Sequence, residues 1–167
     1  MQFSTSEIKE LREKTGAGFV DCKKALQETE GNLEAAVETL KERGLVIAQK
    51  KAERIVQQGI IDAYIHPGGK VGALVEVNCE TDFVANTEEF KELAHNLALQ
   101  ITAMSPEFVS PEEVESESDI DTRAMCLLLQ PYIKDTDKTV HDIIVETIAK
   151  VGENIKVRRF IRFELGD

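Results

Sequence analysis

Tryptophan is absent from this sequence, aromatic residues make up only 5% of it, and its 167 residues include 4 prolines. An interior built from such a composition is aliphatic and rich in helix. No apolar run approaches the ~20 residues needed to cross a bilayer. The first residues also lack the basic and apolar regions of a secretory signal. The cytosol is therefore the expected compartment, and a membrane is not an expected partner. Cysteines are few and odd in number: Cys22, Cys79 and Cys126 lie far apart without CxxC spacing, which supports neither a disulfide framework nor a zinc site. They read as reduced, mostly buried thiols. His66, His95 and His141 are scattered, so no metal-ligand cluster forms in the sequence and no cofactor is expected. A Cys79/His95/Asp82 hydrolase triad can be drawn, but no nucleophile motif accompanies it.

Hydrophobic residues at 42% and charged residues at 31% are ordinary for a soluble globular chain. The length allows one moderate core, or a core plus a small satellite module. The net charge of −11 is uneven. Residues 1–55 hold equal numbers of acidic and basic side chains, so the remainder carries all of the excess. A chain so acidic is repelled by phosphate backbones, which argues against direct nucleic-acid binding. Lys156, Arg158, Arg159 and Arg162 form a local basic cluster on a strand, read as a solvated or ion-paired face.

A helix start opens the chain: Ser4 caps, Glu7 completes a capping box and Phe3 staples against Ile8. Thr15-Gly16-Ala17-Gly18 ends that helix through a left-handed glycine. A second helix is expected from Phe19 to Glu30, stopped by Gly31. Asn32 caps a third, with Leu33, Ala36, Val37 and Leu40 on its apolar face and Gly44 at its end. Leu45–Arg54 follows as a short linking helix with a basic patch at Lys50, Lys51 and Arg54, for which a solvated face is sufficient explanation. Three short helices of this kind make a compact module near the lower limit for independent folding.

Ile60–His66 and Val71–Cys79 alternate with period two and are joined by Pro67-Gly68-Gly69-Lys70, the pattern of a hairpin. The second strand runs into Asn78-Cys79-Glu80-Thr81-Asp82-Phe83-Val84-Ala85-Asn86. After it Asn86 is expected to cap a helix whose face is Phe90, Leu93, Ala94, Leu97, Ala98 and Ile101. Asp82-Phe83 thus sits on a short turn between rigid elements, and two readings stand. Either Phe83 plugs the core while Asp82 caps a helical turn, or both are presented to a partner at little further ordering cost.

Ser105-Pro106 ends the long helix, and the acidic stretch from Glu107 to Asp121 reads as an exposed loop. Arg123–Tyr132 is a short apolar segment of unassigned type, interrupted by Pro131. Thr139 and Asp142 open a last helix through Val140, Ile144, Ile148 and Val151, stopped by Gly152. The closing strand is expected to carry Ile155, Val157, Ile161, Phe163 and Leu165 on one face, with Arg159 interrupting it at a bulge or an exposed end. One hairpin plus one strand leaves a small sheet with an uncovered face, which a twofold homodimer would close.

Three separated stretches resemble bacterial translation elongation factor Ts: Leu11–Gly18 followed by Asp21–Leu26, then Glu76–Ala85, then Val151–Ile155 with Arg158-Arg159-Phe160. The resemblance runs over nearly the whole chain. It implies an α+β fold: a small amino-terminal three-helix module, similar to ubiquitin-associated domains, over residues 1–55, then at 56–167 a core of a small antiparallel sheet packed with helices. It implies guanine-nucleotide exchange on elongation factor Tu by binding alone, with no catalytic side chain. Thr81, Asp82, Phe83 and Val84 would form a wedge that disturbs the partner's Mg²⁺ and phosphate site. Arg12, Phe19, Val20, Lys23 and Lys51 would supply the amino-terminal module's contacts. Short members of this family are expected to pair as homodimers. This chain departs from them between Glu107 and Leu129, where an additional charged stretch is nearly absent. Without the resemblance, the three-helix module alone would indicate a protein-binding adaptor with no effect on nucleotide release.

Overall fold

The structure is a computed structural model and describes residues 4–114 and 121–166. The chain forms two compact units, Met1–Glu53 with Val145–Glu153, and Arg54–Ile144 with Asn154–Asp167.

In the first unit α1 (Thr5–Thr15) begins with the expected capping box, the Ser4 side chain and Glu7 satisfying each other's backbone N–H groups. Hydrogen bonds from Ser4 hold the Glu7 carboxyl below its ordinary pKa. The helix ends at Gly16 in the left-handed conformation. Phe3, the expected staple, lies outside the described residues. Helix α2 (Phe19–Glu28) closes earlier than expected, because Thr29 ends it and Glu30 and Gly31 both take positive φ. The core between these helices is Ile8, Leu11, Cys22, Ala25, Leu26 and Ala36, with Leu33, Val37 and Leu40 packed against it.

Helix α3 corrects the sequence reading. It runs unbroken from Leu33 to Lys51, so Gly44 ends nothing and Leu45–Lys51 is not a separate helix. Gly44 is buried in the helix interior, where Val145 and Ala149 of α7 (Val140–Val151) pass close by. Tertiary packing thus overrides a glycine that locally reads as a stop. A Cβ built at this position would meet Val145 Cγ1 at 3.5 Å and Ala149 Cβ at 3.9 Å, which is ordinary van der Waals contact. Gly44→Ala is therefore expected to stabilise the protein by about 0.4–1 kcal/mol through helix propensity and a less flexible unfolded chain. Urea denaturation would show this as a higher midpoint; a lower one would mean α3 and α7 cannot accommodate the methyl group.

The second unit is built on a three-stranded antiparallel sheet, order β1-β2-β5, from β1 (Gln58–Ile65), β2 (Val71–Cys79) and β5 (Ile155–Glu164). The β1–β2 hairpin is as read from the sequence, with Gly68 and Gly69 at positive φ in its turn. Gly59 is obligatory in β1: an added Cβ would fall 2.1 Å from the Val77 carbonyl oxygen. Helix α5 (Glu88–Met104) lies across β1 and β2, burying Phe90, Leu93, Ala94, Leu97, Ala98 and Ile101 against Ala73, Val75, Val77 and Cys79. Its cap is Thr87, whose hydroxyl accepts from Phe90 N, and not the expected Asn86.

Strand β5 differs from the single-faced reading. The register shifts beside Val77, where Val157 faces Val77 but Arg159 faces Glu76. The extra residue, Arg158, makes a bulge that flips the pattern. Ile155 and Val157 therefore share the α5 face, while Ile161 and Phe163 pair with Leu74 and Gly72 on the opposite one. That opposite face also carries Ile61 and Ile65, and all five of these large side chains are exposed. At the bulge Arg158 Nη1 and Arg159 Nε donate to the two Glu76 oxygens at 3.2 and 2.8 Å. Two of the four expected basic residues are thus ion-paired here, while Arg162 lies on the α5 side of the sheet and donates through Nε to the Thr102 carbonyl.

Arg159 foremost holds the Glu76 carboxyl below its ordinary pKa. A folded-state pKa below the unfolded one stabilises the protein above the unfolded pKa, and that stabilisation is lost as pH falls through the folded value. Glu76→Gln is accordingly expected to lower the melting temperature at neutral pH, with the gap to the wild type closing on acidification. A gap independent of pH would contradict the pairing.

The segment left unassigned in the sequence folds as α6 (Thr122–Met125), a 3₁₀ turn at Leu127–Leu129, and a second two-stranded sheet of β3 (Pro131–Tyr132) and β4 (Asp135–Thr139). Buried Gln100 and Gln130 tie it to α5. Gln100 Nε2 donates to Gln130 Oε1, Ile133 N donates to Gln100 Oε1, and Gln130 Nε2 donates to the Ala124 and Met104 carbonyls. The acidic stretch is anchored over its described first part: Val109 is buried and Phe108 bridges to Cys126. Its centre, 115–120, lies outside the described residues.

Candidate functional site

The turn after β2 is a single helical turn, α4 (Asp82–Ala85), and its architecture decides which side chains leave the surface. Thr81, not Asp82, is the N-cap, its hydroxyl accepting from Val84 N at 3.4 Å. The Ala85 N–H donates to the Thr81 carbonyl and the Asn86 N–H to that of Asp82. Val84 and Ala85 point inward and are buried. One helical turn cannot bury four consecutive side chains, so Asp82 and Phe83 face out. Phe83 is 82% exposed, and it is not a core plug.

Four further side chains fix this turn, and no local sequence pattern assigns any of them to it. The buried Cys79 thiol donates to the Thr81 carbonyl at 3.1 Å. Asn86 Nδ2 donates to the Asp82 carbonyl at 2.8 Å, and the Thr87 hydroxyl donates to the Val84 carbonyl at 2.8 Å. Asn86 thus closes α4 where it was expected to open α5. Glu80 Oε1 accepts from Asn154 N, a partner 74 residues away that no local pattern announces. Thr81, an N-cap residue type directly before an acidic first-turn residue, is the one local signal for this turn. Cys79 is therefore a structural thiol. His95 lies 3.7 Å from Asp62 and edge-on to Tyr64, so the imagined Cys79/His95/Asp82 triad is not assembled.

In the first unit Gly18 precedes α2, and Phe19, Val20 and Lys23 occupy its first two turns, all exposed. Phe19 and Arg12 line one depression of about 340 Å³ with Thr5, Ser6 and Lys9. An apolar ring beside guanidinium and ammonium groups suits an acidic partner surface with an apolar notch. Lys51, at the end of α3, donates through Nζ to the Gly152 carbonyl. It is thereby engaged within its own unit at the C-terminal end of α7, where a cation is favourable. Cys22 is buried beneath this surface, and burial pushes its thiol pKa up. No group of residues that could hold a metal ion occurs among the described residues. No helix among them is long and apolar enough to cross a membrane.

The family model described as elongation factor TS matches residues 4–123. Among the relatives named elongation factor Ts, that of Desulforamulus reducens is 48% identical over 196 aligned positions, covering 99% of this chain and 90% of its own. That of Thermoanaerobacter sp. is 48% identical, covering 98% of this chain and 95% of its own. The Coprothermobacter proteolyticus protein is 50% identical over 197 positions that cover the whole of both chains. An alignment of that length against 167 residues means this relative holds residues with no counterpart here.

Proposed function

The chain belongs to the elongation factor Ts family, a family of translation elongation factors, and from that premise we propose that it is a guanine-nucleotide exchange factor for elongation factor Tu. The observation that carries the mechanism is Phe83, an aromatic ring exposed on a turn held by Cys79, Glu80, Asn86 and Thr87. A partner pocket that receives this ring meets it already ordered, so little of the contact energy is spent on arranging the turn. Such energy is available to distort the partner. A GTPase holds GDP through a phosphate loop and Mg²⁺, and a wedge that moves the elements around the metal weakens both. Thr81 and Val84 fix the wedge, Asp82 orients it and Phe83 fills the pocket. The amino-terminal module, through Arg12, Phe19, Val20, Lys23 and Lys51, docks on the same GTPase.

No bond is made or broken in this reaction, so no catalytic side chain is required. Binding the nucleotide-free partner more tightly than the GDP-bound one obliges this protein to loosen GDP by the same factor. Calorimetry with nucleotide-free and GDP-bound elongation factor Tu tests this, with at least ~100-fold tighter binding expected for the nucleotide-free form, a coupling of about 2.7 kcal/mol. Equal affinities would overturn the reading, because a ligand that does not distinguish two states shifts nothing.

The same reading includes a homodimer acting in the cytosol without nucleic acid. Ile61, Ile65, Leu74, Ile161 and Phe163 share the sheet face opposite α5. A second copy placed there through a twofold axis covers both faces at once.

A further inference from the structure

Three segments of the second unit, remote in sequence, meet at one carboxylate. Glu80 Oε1 accepts from the backbone N–H of Asn154 at 2.7 Å, and Arg54 Nη1 lies 3.4 Å from both Glu80 oxygens. Asn154 Nδ2 donates to the Arg54 carbonyl at 2.9 Å and closes the triangle. Asn154 is 2% exposed, so its N–H has little access to water, and a buried donor without a partner is costly. The Arg54 arm is longer and its guanidinium is half exposed, which makes it the weaker side. Arg54 and Asn154 are also residues at which the chain enters this unit. Glu80 is followed directly by Thr81, the cap of α4, so whatever holds Glu80 sets where that turn begins.

We propose that Glu80 is a positioning residue for nucleotide exchange: anchored by Asn154 and Arg54, it fixes the direction in which Asp82 and Phe83 leave the surface. This rests on the exchange reading above. Glu80 touches neither nucleotide nor metal in this account; its side chain is mostly shielded and acts through the turn that follows. A loosened turn still allows the amino-terminal module to dock. The ordering of Phe83 then has to be met within the complex, and the step that expels GDP slows.

The test measures release of fluorescent GDP from elongation factor Tu across a range of concentrations of the full chain, with Glu80→Ala and Glu80→Gln. Alanine is expected to lower the maximal rate about tenfold while the half-saturating concentration stays within about twofold. Glutamine, whose amide oxygen still accepts from Asn154, is expected to recover most of the rate. Glu80→Asp keeps the charge but falls short of that N–H; it serves if alanine does not fold, and is expected to behave like alanine. In the free protein, amides 81–86 of the alanine variant should exchange hydrogen about tenfold faster, with β2 unchanged. Wild-type rates in the alanine variant would overturn the proposal, and so would unchanged protection at 81–86. Absence of acceleration by the wild type would instead overturn the exchange reading itself, an outcome the hydrogen-exchange measurement separates from loss of positioning.

Discussion

Phe83→Ala is expected to remove most of the acceleration of GDP release while leaving the protein folded. The magnitude follows from the ring: burying a phenylalanine side chain contributes about 1.5–3 kcal/mol, which corresponds to roughly 10- to 100-fold in rate if the contact exists only in the distorted complex. The fold should be indifferent, because the ring is already in water. Truncating an exposed side chain changes stability by less than about 0.5 kcal/mol. The neighbouring position gives the opposite pattern. Val84 is buried beneath the turn, so Val84→Ala should destabilise the protein and disturb exchange indirectly. Stopped-flow release rates and thermal melts on the two variants separate a presented side chain from a supporting one. Full acceleration by Phe83→Ala would remove the wedge.

The second large effect concerns assembly. Leu74→Asp is expected to convert a micromolar-range dimer to monomer with the fold retained. Leu74 sits on the central strand of the open face, paired with Ala63 on one side and Ile161 on the other. It is partly exposed in the single chain, where a carboxylate at this position stays hydrated. In a face-to-face dimer the same carboxylate would be buried without a partner, at a cost of about 3 kcal/mol or more, which weakens association at least ~100-fold. Covering five large apolar side chains is a favourable term of the order needed to offset the ~4–15 kcal/mol lost in association. Sedimentation equilibrium of both proteins reads the result directly. A wild type that stays monomeric across the micromolar range would show that this face has another role.

How far the sequence could be read follows the range of the interactions involved. Period-two alternation located β2, and the face from Phe90 to Ile101 located α5, because both patterns record burial by one neighbouring layer. Caps written in three or four residues, at Ser4 and at Thr139, were equally legible. Misreadings arose where a distant segment decides. Gly44 reads as a stop until α7 is seen to run beside it. The alternation of β5 is broken by one bulged residue, so Ile161 and Phe163 face away from Ile155 and Val157. The segment after Asp121 has no periodicity, because side-chain amides of Gln100 and Gln130 satisfy it in place of a regular ladder. At the candidate site the position of Asp82 and Phe83 between two rigid elements leaves presentation to a partner as one of two readings, and the resemblance favours it. The scaffold under them, Cys79, Asn86 and Glu80 with Asn154, depends on contacts that spacing does not encode.

Exchange is read from the rate at which fluorescent GDP leaves elongation factor Tu, measured with and without this protein at saturating concentration. Acceleration of at least ~100-fold is expected, because a loss of GDP affinity of that size is carried mostly by its dissociation rate. A folded protein that binds elongation factor Tu and leaves the release rate unchanged would contradict exchange, and would leave an adaptor built on the three-helix module as the function of this chain.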